Sequence, residues 1–265
     1  MRHNRRMWSV VLDAYLVHLR AAGRADTTMR LRRMHLERAF SCLPCDPLEV
    51  TLDALTDYMA ANEWAPETRK SVRASLRGFY AWAEETERIP VDPARKLPQV
   101  AVPQGLPHPT PNDVTAHALE SANADDLLMV MLAAYAGLRR AEVAGLHRRD
   151  LDGDVLRITG KGGKVREVPA HELLVAALAP RQGYVFPGKD HGHLSPDWVG
   201  RRMSRLLGPG WTAHSLRHRF ATRAYAGERD LLTVQQLLGH SSVATTQRYT
   251  QVPDDARRRA VANVA

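Results

Sequence analysis

Six residues in the later part of the chain combine side-chain types suited to phosphoryl transfer without a metal ion: Arg139, Lys161, His214, Arg217, His240 and Tyr249. Breaking a phosphodiester in this way requires a nucleophile, cations around the non-bridging oxygens, an acid for the leaving oxygen and a base for the nucleophile. Each of these residues taken alone is better explained by packing or by an exposed charge. The chemical hypothesis therefore depends on the set and its order.

The spacing of these residues supports a shared site. His214 and Arg217 lie three residues apart, so on a helix both project from one face and can meet one phosphate. Arg139 stands at a predicted helix start, where a guanidinium can be held for bidentate contact with phosphate oxygens. Lys161 falls at the tip of a predicted hairpin, and lysine is a better proton donor than arginine because its pKa is lower. Tyr249 follows on a segment that could approach the same phosphate.

The sequence segments around these residues resemble those of the tyrosine recombinase (phage integrase) family. The similar segments are, in chain order, Ala-Gly-Leu-Arg-Arg-Ala-Glu-Val, Gly-Lys-Gly-Gly-Lys, His-Ser-Leu-Arg-His and Leu-Gly-His-Ser-Ser-Val-Ala-Thr-Thr-Gln-Arg-Tyr. They match the family's first arginine box, its lysine hairpin, its second box and its nucleophile segment. The helical N-terminal portion also resembles the family's core-type DNA-binding domain, so the resemblance covers nearly the whole chain.

The resemblance implies a role for each residue of the set. Tyr249 would attack the DNA and form a 3′-phosphotyrosyl bond, while Lys161 would protonate the departing 5′ oxygen. The two arginines and His240 would stabilise charge on the phosphate. His214 would help to take the tyrosine proton. Because the phosphotyrosyl bond keeps the energy of the broken backbone bond, another strand can be rejoined without a nucleotide.

The family resemblance also implies the partners and the overall arrangement. The expected partner is double-stranded DNA, held in a C-shaped clamp and cut by a homotetramer on paired sites. No cofactor and no metal site are predicted, because the chain has neither a carboxylate cluster typical of a two-metal nuclease nor a phosphate-binding loop. His191 and His193 do not suffice for a metal site. Cys42 and Cys45 are expected to be reduced cysteines near a turn.

Hydrophobic spacing predicts an all-helical N-terminal domain over residues 1–89. Trp8–Leu19 has amphipathic helical spacing, Asp26 is a plausible N-cap for a second helix that ends near Phe40, and Leu52–Ala60 is a short third helix. Pro66 opens a fourth helix that runs to about Glu85. On that helix a basic ridge could lie against DNA phosphates or could be a solvated face, and its members are Arg69, Arg73 and Arg77.

Residues 90–107 are rich in proline and are predicted to be an extended linker. Residues 108–265 are predicted to form a mostly helical catalytic domain with a small β-hairpin. The expected elements are helices at Asp125–Tyr135, Arg140–Leu146 and about 195–207, 214–226, 230–238 and 241–250, and strands at Val155–Ile158 and Val165–Val168. Lys164 is a candidate backbone-phosphate contact. Glu142 is expected to orient a basic side chain, and His218 to be buried against the core.

Composition narrows the class of protein. A formal net charge of +8 and a pI near 9.9 favour a polyanionic partner. No apolar run approaches the roughly 20 residues of a membrane span, and the basic start is followed by no secretory apolar region, so a cytosolic protein is expected. A non-cleaving DNA-binding protein of this fold is disfavoured because all six residues are present. A topoisomerase or telomere resolvase would be expected to carry large extra segments.

Within the family, the alternatives are a phage or mobile-element integrase and a host chromosome-dimer resolvase of the Xer type. The first predicted helix begins within about eight residues of Met1, which leaves no room for an additional arm-site domain. This favours a compact enzyme acting on simple core sites. An integrase is the preferred interpretation, with the Xer type as the alternative.

Overall fold

The computed structural model describes residues 2–43, 45–103, 107–160 and 163–239, and for residues 2–7 and Glu228 only the backbone. The chain forms two compact units, and the boundary between them falls between residues 105 and 106. Each has its own hydrophobic core. No helix in the described ranges is long and apolar enough to span a membrane.

The first unit contains four helices within its described residues: α1 (Arg2–Ala21), α2 (Asp26–Cys42), α3 (Leu52–Ala60) and α4 (Pro66–Glu85). The bounds of α3 and α4 are those that the hydrophobic spacing predicts. The expected N-cap of α2 is wrong by one residue, because Ala25 occupies that position and Asp26 is the first helical residue. There the Asp26 carboxylate still lies near the unsatisfied N–H groups of the first turn.

Aromatic side chains form the centre of this first core. Phe79 of α4 lies with its ring centroid 5.0 Å from that of Phe40 and 5.5 Å from that of Tyr15. These edge-to-face arrangements join α1, α2 and α4. Ala94 and Leu97 are buried in the same core, although both fall in the segment predicted as a linker. Part of that proline-rich segment therefore packs on the first unit.

The second unit is mostly helical with a small antiparallel sheet, which confirms the predicted fold class. Its described elements are α5 (Asn112–Ser121), α6 (Ala124–Tyr135), α7 (Arg140–Ala144), the 3-10 turn Arg148–Asp150, β1 (Leu151–Asp152), β2 (Val155–Thr159), β3 (Val165–Pro169), α8 (Glu172–Leu178), β4 (Pro187–Asp190), α9 (Pro196–Leu207), α10 (Ala213–Glu228) and α11 (Leu231–Leu238). Helices α5 and α8 were not predicted. The predicted helix at 241–250 lies outside the described residues.

The sheet has the order β1-β2-β3, and its buried residues belong to the same hydrophobic core as those of α6. Strands β2 and β3 pair with Leu156 opposite Val168 and Ile158 opposite Arg166. Side chains two residues apart on a strand share a face, so Arg166 lies on the same face as buried Val168. The hairpin between these strands contains Lys161, which is outside the described residues.

Tyr80 provides a test of the first core. Its side chain is fully buried, and its hydroxyl has no hydrogen-bond partner among the described residues. Burial raises the pKa of this phenol. A buried hydroxyl without a partner costs about 1–3 kcal/mol, so we expect Tyr80→Phe to raise the free energy of unfolding by about 1 kcal/mol in urea denaturation. Tyr80→Leu, which leaves a cavity, is expected to lower it. A loss of stability in Tyr80→Phe would show that the hydroxyl is satisfied.

Candidate functional site

A buried carboxylate at Glu142 gathers three arginines from distant parts of the chain. Its side chain is 6% exposed, and its two oxygens accept hydrogen bonds from Arg166 Nη1 and Nη2 at 2.8 and 2.7 Å. Arg139 Nη1 donates to Oε1 at 2.8 Å, and the Arg139 backbone N–H donates to Oε2 at 2.8 Å. Arg217 Nη1 lies 4.0 Å from Oε2. We call these four residues the Glu142 cluster.

The arginines determine the ionisation of the carboxyl at its centre. Burial alone would raise the pKa of Glu142, but the hydrogen bonds from Arg166 and Arg139 and the attraction of the Arg166 charge outweigh it. The pKa of Glu142 is lowered to about 2. The carboxylate is therefore ionised at any physiological pH, and it orients basic side chains as the sequence suggested.

Arg166 is the member of the cluster that the sequence reasoning missed. Its side chain is 8% exposed, and beyond its two bonds to Glu142 its Nε donates to the carbonyl oxygen of Leu237 at 2.8 Å. It thus ties β3 to α7 and to the end of α11. The alternation of faces along a strand could have identified it. An arginine two residues before the apolar Val168 falls on the inward face of β3.

Arg217 lies beneath the surface of the second unit. Its side chain is 3% exposed, Nη1 donates to the carbonyl oxygen of Gly137, and Nη2 donates to that of Leu238 at 2.5 Å. Gly137 has a φ of +64°, and a Cβ there would collide with the ring of Phe220. The turn before α7 therefore requires glycine, and its geometry places a carbonyl on Arg217.

Arg139 follows Gly137 by two residues, at the end of this turn. It is the N-cap residue of α7, and its side chain is 40% exposed while remaining bonded to Glu142. The two predicted arginines are thus brought to one carboxylate although they are far apart in sequence. Of the two, Arg139 is the one whose guanidinium reaches the surface.

His214 lies one helical turn from His218 on α10, with their Nε2 atoms 2.9 Å apart. Nδ1 of His218 accepts a hydrogen bond from the backbone N–H of His108 at 3.1 Å. His218 was expected to be buried against the core, and this is wrong: it is half-buried beside exposed His214. The reason is that position 218 shares the outer face of α10 with position 214.

Lys161, His240 and Tyr249 lie outside the described residues. Their part in the site therefore rests on the sequence alone. The described strands and helix nearest to them in sequence are β2, β3 and α11. The last two of these elements are joined to the Glu142 cluster by Arg166.

The predicted DNA contacts differ in their surroundings. Arg69 Nη2 donates to the carbonyl oxygen of Asn62 at 2.9 Å, and Arg73 Nη2 donates to that of Leu97 at 2.6 Å. Partial burial, followed by the nearby Arg77 charge, lowers the pKa of Arg73. Arg77 and Lys164 are exposed. Two arginines of the predicted ridge thus hold local backbone, and Arg77 is the one most accessible to a partner.

A family model and individual relatives both relate this chain to tyrosine recombinases. The phage integrase family matches residues 112–255. The chain is 36% identical over 271 residues to tyrosine recombinase XerC of Azotobacter vinelandii, covering 91% of each protein. It is 35% identical to XerC of Rhodospirillum centenum, where the match covers 73% of this chain and 64% of that protein.

A solved structure shares the fold at lower identity. A lambda integrase (75-356) dimer bound to a COC′ core site is similar with a TM-score of 0.74 and 20% identity, covering 89% of this chain and 96% of that one. This similarity concerns the fold.

Glu142→Gln tests the cluster through stability and pH. Removing the charge leaves buried guanidiniums without their counter-ion, so we expect the free energy of unfolding at pH 7 to fall by about 3–5 kcal/mol. The folded pKa of Glu142 is about 2, below the 4.5 usual for a glutamate, so its ionisation stabilises the protein above pH 4.5 and that contribution is lost as pH falls towards 2. The difference between wild type and variant should therefore shrink over this window in denaturant titrations.

The matched control for this prediction is Glu167→Gln on the same strand as Arg166. The Glu167 side chain is 63% exposed and pairs with exposed Arg157. Exposed pairs contribute little, so its effect should stay below about 1 kcal/mol and show no comparable pH window. Equal effects of the two variants would contradict the role of Glu142 as the centre of the cluster.

Proposed function

Because the chain belongs to the phage integrase family of tyrosine recombinases, we propose that it is a Xer-type site-specific recombinase that cuts and rejoins double-stranded DNA. The relatives named XerC favour this type over the phage integrase that the sequence alone suggested. The proposed enzyme works on DNA in the cytosol as a homotetramer on paired sites. Both units are proposed to contact the duplex.

The observation that carries the proposal is the Glu142 cluster. Three guanidiniums surround one carboxylate, so the cluster keeps an excess positive charge of about two after Glu142 is counted. A phosphodiester carries one negative charge, and the pentacoordinate state formed on attack carries about two. The cluster is thus matched to the charge that develops in the reaction rather than to the resting DNA.

The proposed roles follow the exposure of each side chain. Arg139 reaches the surface and contacts a non-bridging oxygen directly, whereas Arg217 adds its charge from behind the turn at Gly137. Lys161 protonates the leaving 5′ oxygen, and His240 donates to the phosphate. His214 acts beside the nucleophile. Tyr249 attacks the phosphorus, forms the 3′-phosphotyrosyl bond and releases the 5′-hydroxyl, which can then attack a partner strand's phosphotyrosine.

Tyr249→Phe tests the nucleophile. Purified protein is incubated with fragmented DNA from the source genome, denatured, and the covalently attached DNA is sequenced. Wild type is expected to recover one site with protein joined to 3′ phosphates, equally with and without EDTA. Tyr249→Phe is expected to bind that site and form no adduct, while the control Tyr225→Phe forms it normally. An adduct with Tyr249→Phe, or loss of the adduct in EDTA, would sink the proposed mechanism.

The same capture distinguishes the two types of recombinase. A Xer-type enzyme should yield one locus in the host chromosome, independent of any mobile element. Recovery of the two ends of an integrated element would instead support the integrase alternative.

Lys161→Ala tests the proposed acid. Its cleavage rate should fall by about 10²–10⁴, the usual contribution of a positioned acid, and should recover on a substrate with a 5′-bridging phosphorothiolate, whose sulfur leaves without a proton. Lys164→Ala, which removes an exposed lysine of the same hairpin, should lose far less and show no such selective recovery. If the sulfur substrate failed to rescue Lys161→Ala, another group would have to be the acid.

A further inference from the structure

A short connector, residues 107–110, is fixed against the start of the helix that carries His214. Thr110 Oγ1 donates to Ser215 Oγ at 2.8 Å, and the Thr110 N–H donates to the Ser215 carbonyl at 3.2 Å. Both residues are buried. The ring of His108 stacks on that of Trp211 with centroids 4.2 Å apart and planes 7° from parallel. The backbone N–H of His108 is thereby held in a defined position.

That N–H determines the proton positions in two histidines. A backbone N–H can only donate, so Nδ1 of His218 must offer a lone pair, and the proton of neutral His218 then lies on Nε2. This Nε2–H points at Nε2 of His214, 2.9 Å away, which must in turn accept. His214 then carries its proton on Nδ1. This is the neutral arrangement of the two histidines that satisfies both contacts.

We propose that the connector acts through His218 as a positioning element that keeps His214 in its Nδ1–H form, so that His214 serves as a hydrogen-bond donor in the reaction rather than as a proton acceptor. The proposal rests on the recombinase function proposed above. His218 touches no reacting atom in it. Its contribution is to hold the ring and tautomer of His214.

The chemical consequence is that neutral His214 acts as a hydrogen-bond donor. With Nε2 accepting from His218 and Nδ1 already protonated, neutral His214 has no lone pair with which to take the tyrosine proton. Its Nδ1–H can instead donate to an oxygen that becomes negative, either the tyrosine phenolate or the phosphate. The histidine pair lies near the surface, so water weakens it in the free protein. Bound DNA would exclude that water and strengthen each contact.

The first test is a direct measurement of tautomers that needs no DNA. In ¹⁵N-histidine NMR spectra of the full chain, His214 should show the Nδ1–H form and His218 the Nε2–H form, with signals assigned by single substitutions. His218→Phe keeps a ring of similar shape without nitrogen atoms. In that variant His214 should shift towards the Nε2–H form, which is the more populated one in water. Observation of the Nε2–H form of His214 in the wild type would overturn the proposal.

The second test uses cleavage of the DNA site captured with wild-type protein. His218→Phe should cleave about ten-fold more slowly with unchanged DNA affinity, because one hydrogen bond that orients His214 is lost. His218→Gln should recover much of the rate, since its amide N–H can reach the position of Nε2–H. Wild-type rates in His218→Phe would contradict the positioning role.

His108 offers a matched pair of variants. His108→Pro lacks the backbone N–H, and its flanking prolines already favour an extended backbone, whereas His108→Ala keeps the N–H and loses the ring. His108→Pro should match His218→Phe in both rate and His214 tautomer, while His108→Ala stays within about two-fold of wild type. The reverse ranking would show that ring stacking, not the N–H, is what matters.

The two proposals fail differently. If wild type forms no covalent adduct although His214 has the Nδ1–H form, the recombinase function is wrong and the catalytic meaning of the contact falls with it. If the adduct forms but His214 has the Nε2–H form, the recombinase function stands and the positioning role is overturned.

Discussion

The arrangement of the second unit depends on keeping several guanidiniums together without neutralising them. Like charges in a poorly solvated region repel, and each loses hydration. Glu142 resolves this by accepting bonds from Arg139 and Arg166 on both oxygens, while Arg217 donates to two backbone carbonyls. Carbonyl dipoles stabilise a cation without cancelling its charge. The site therefore retains positive potential in a fixed geometry, which a phosphate can use without reorganising the protein.

This constraint explains why the cluster takes its members from distant elements. The carboxylate comes from α7, Arg166 from β3 and Arg217 from α10, and Arg166 also reaches the end of α11. Each contact fixes the spacing between two elements, so the ion cluster serves at once as a packing feature and as an electrostatic one. A buried ion pair is weak evidence for stability by itself. Here the geometry of the cluster is explained better by the need to hold the guanidiniums in fixed positions than by a need for stability.

The sequence predicted what depends on local periodicity and missed what depends on tertiary contact. The bounds of α3 and α4 could be predicted because their apolar spacing is helical and Pro66 marks the start of α4. Helix α8 has seven residues, too few for a periodic pattern to distinguish it from a loop. Arg166 was missed because a charged residue on a strand suggests exposure, and its partners Glu142 and Leu237 lie far away in the sequence. His218 was misplaced because its position on the outer face of α10, beside His214, is settled only when the fold orients that helix on the core.

The same distinction separates the residues that were recognised from those that orient them. Arg139, His214 and Arg217 could be proposed from the sequence because groups that act on a phosphate must be of particular chemical types. Arg166 and the His108 N–H have no such signature, since any donor held at the right place would serve. A backbone N–H in particular leaves no trace in residue identity. The groups proposed to position the proton of His214 are therefore identified from hydrogen-bond geometry, and they can be recognised only once the fold has placed them.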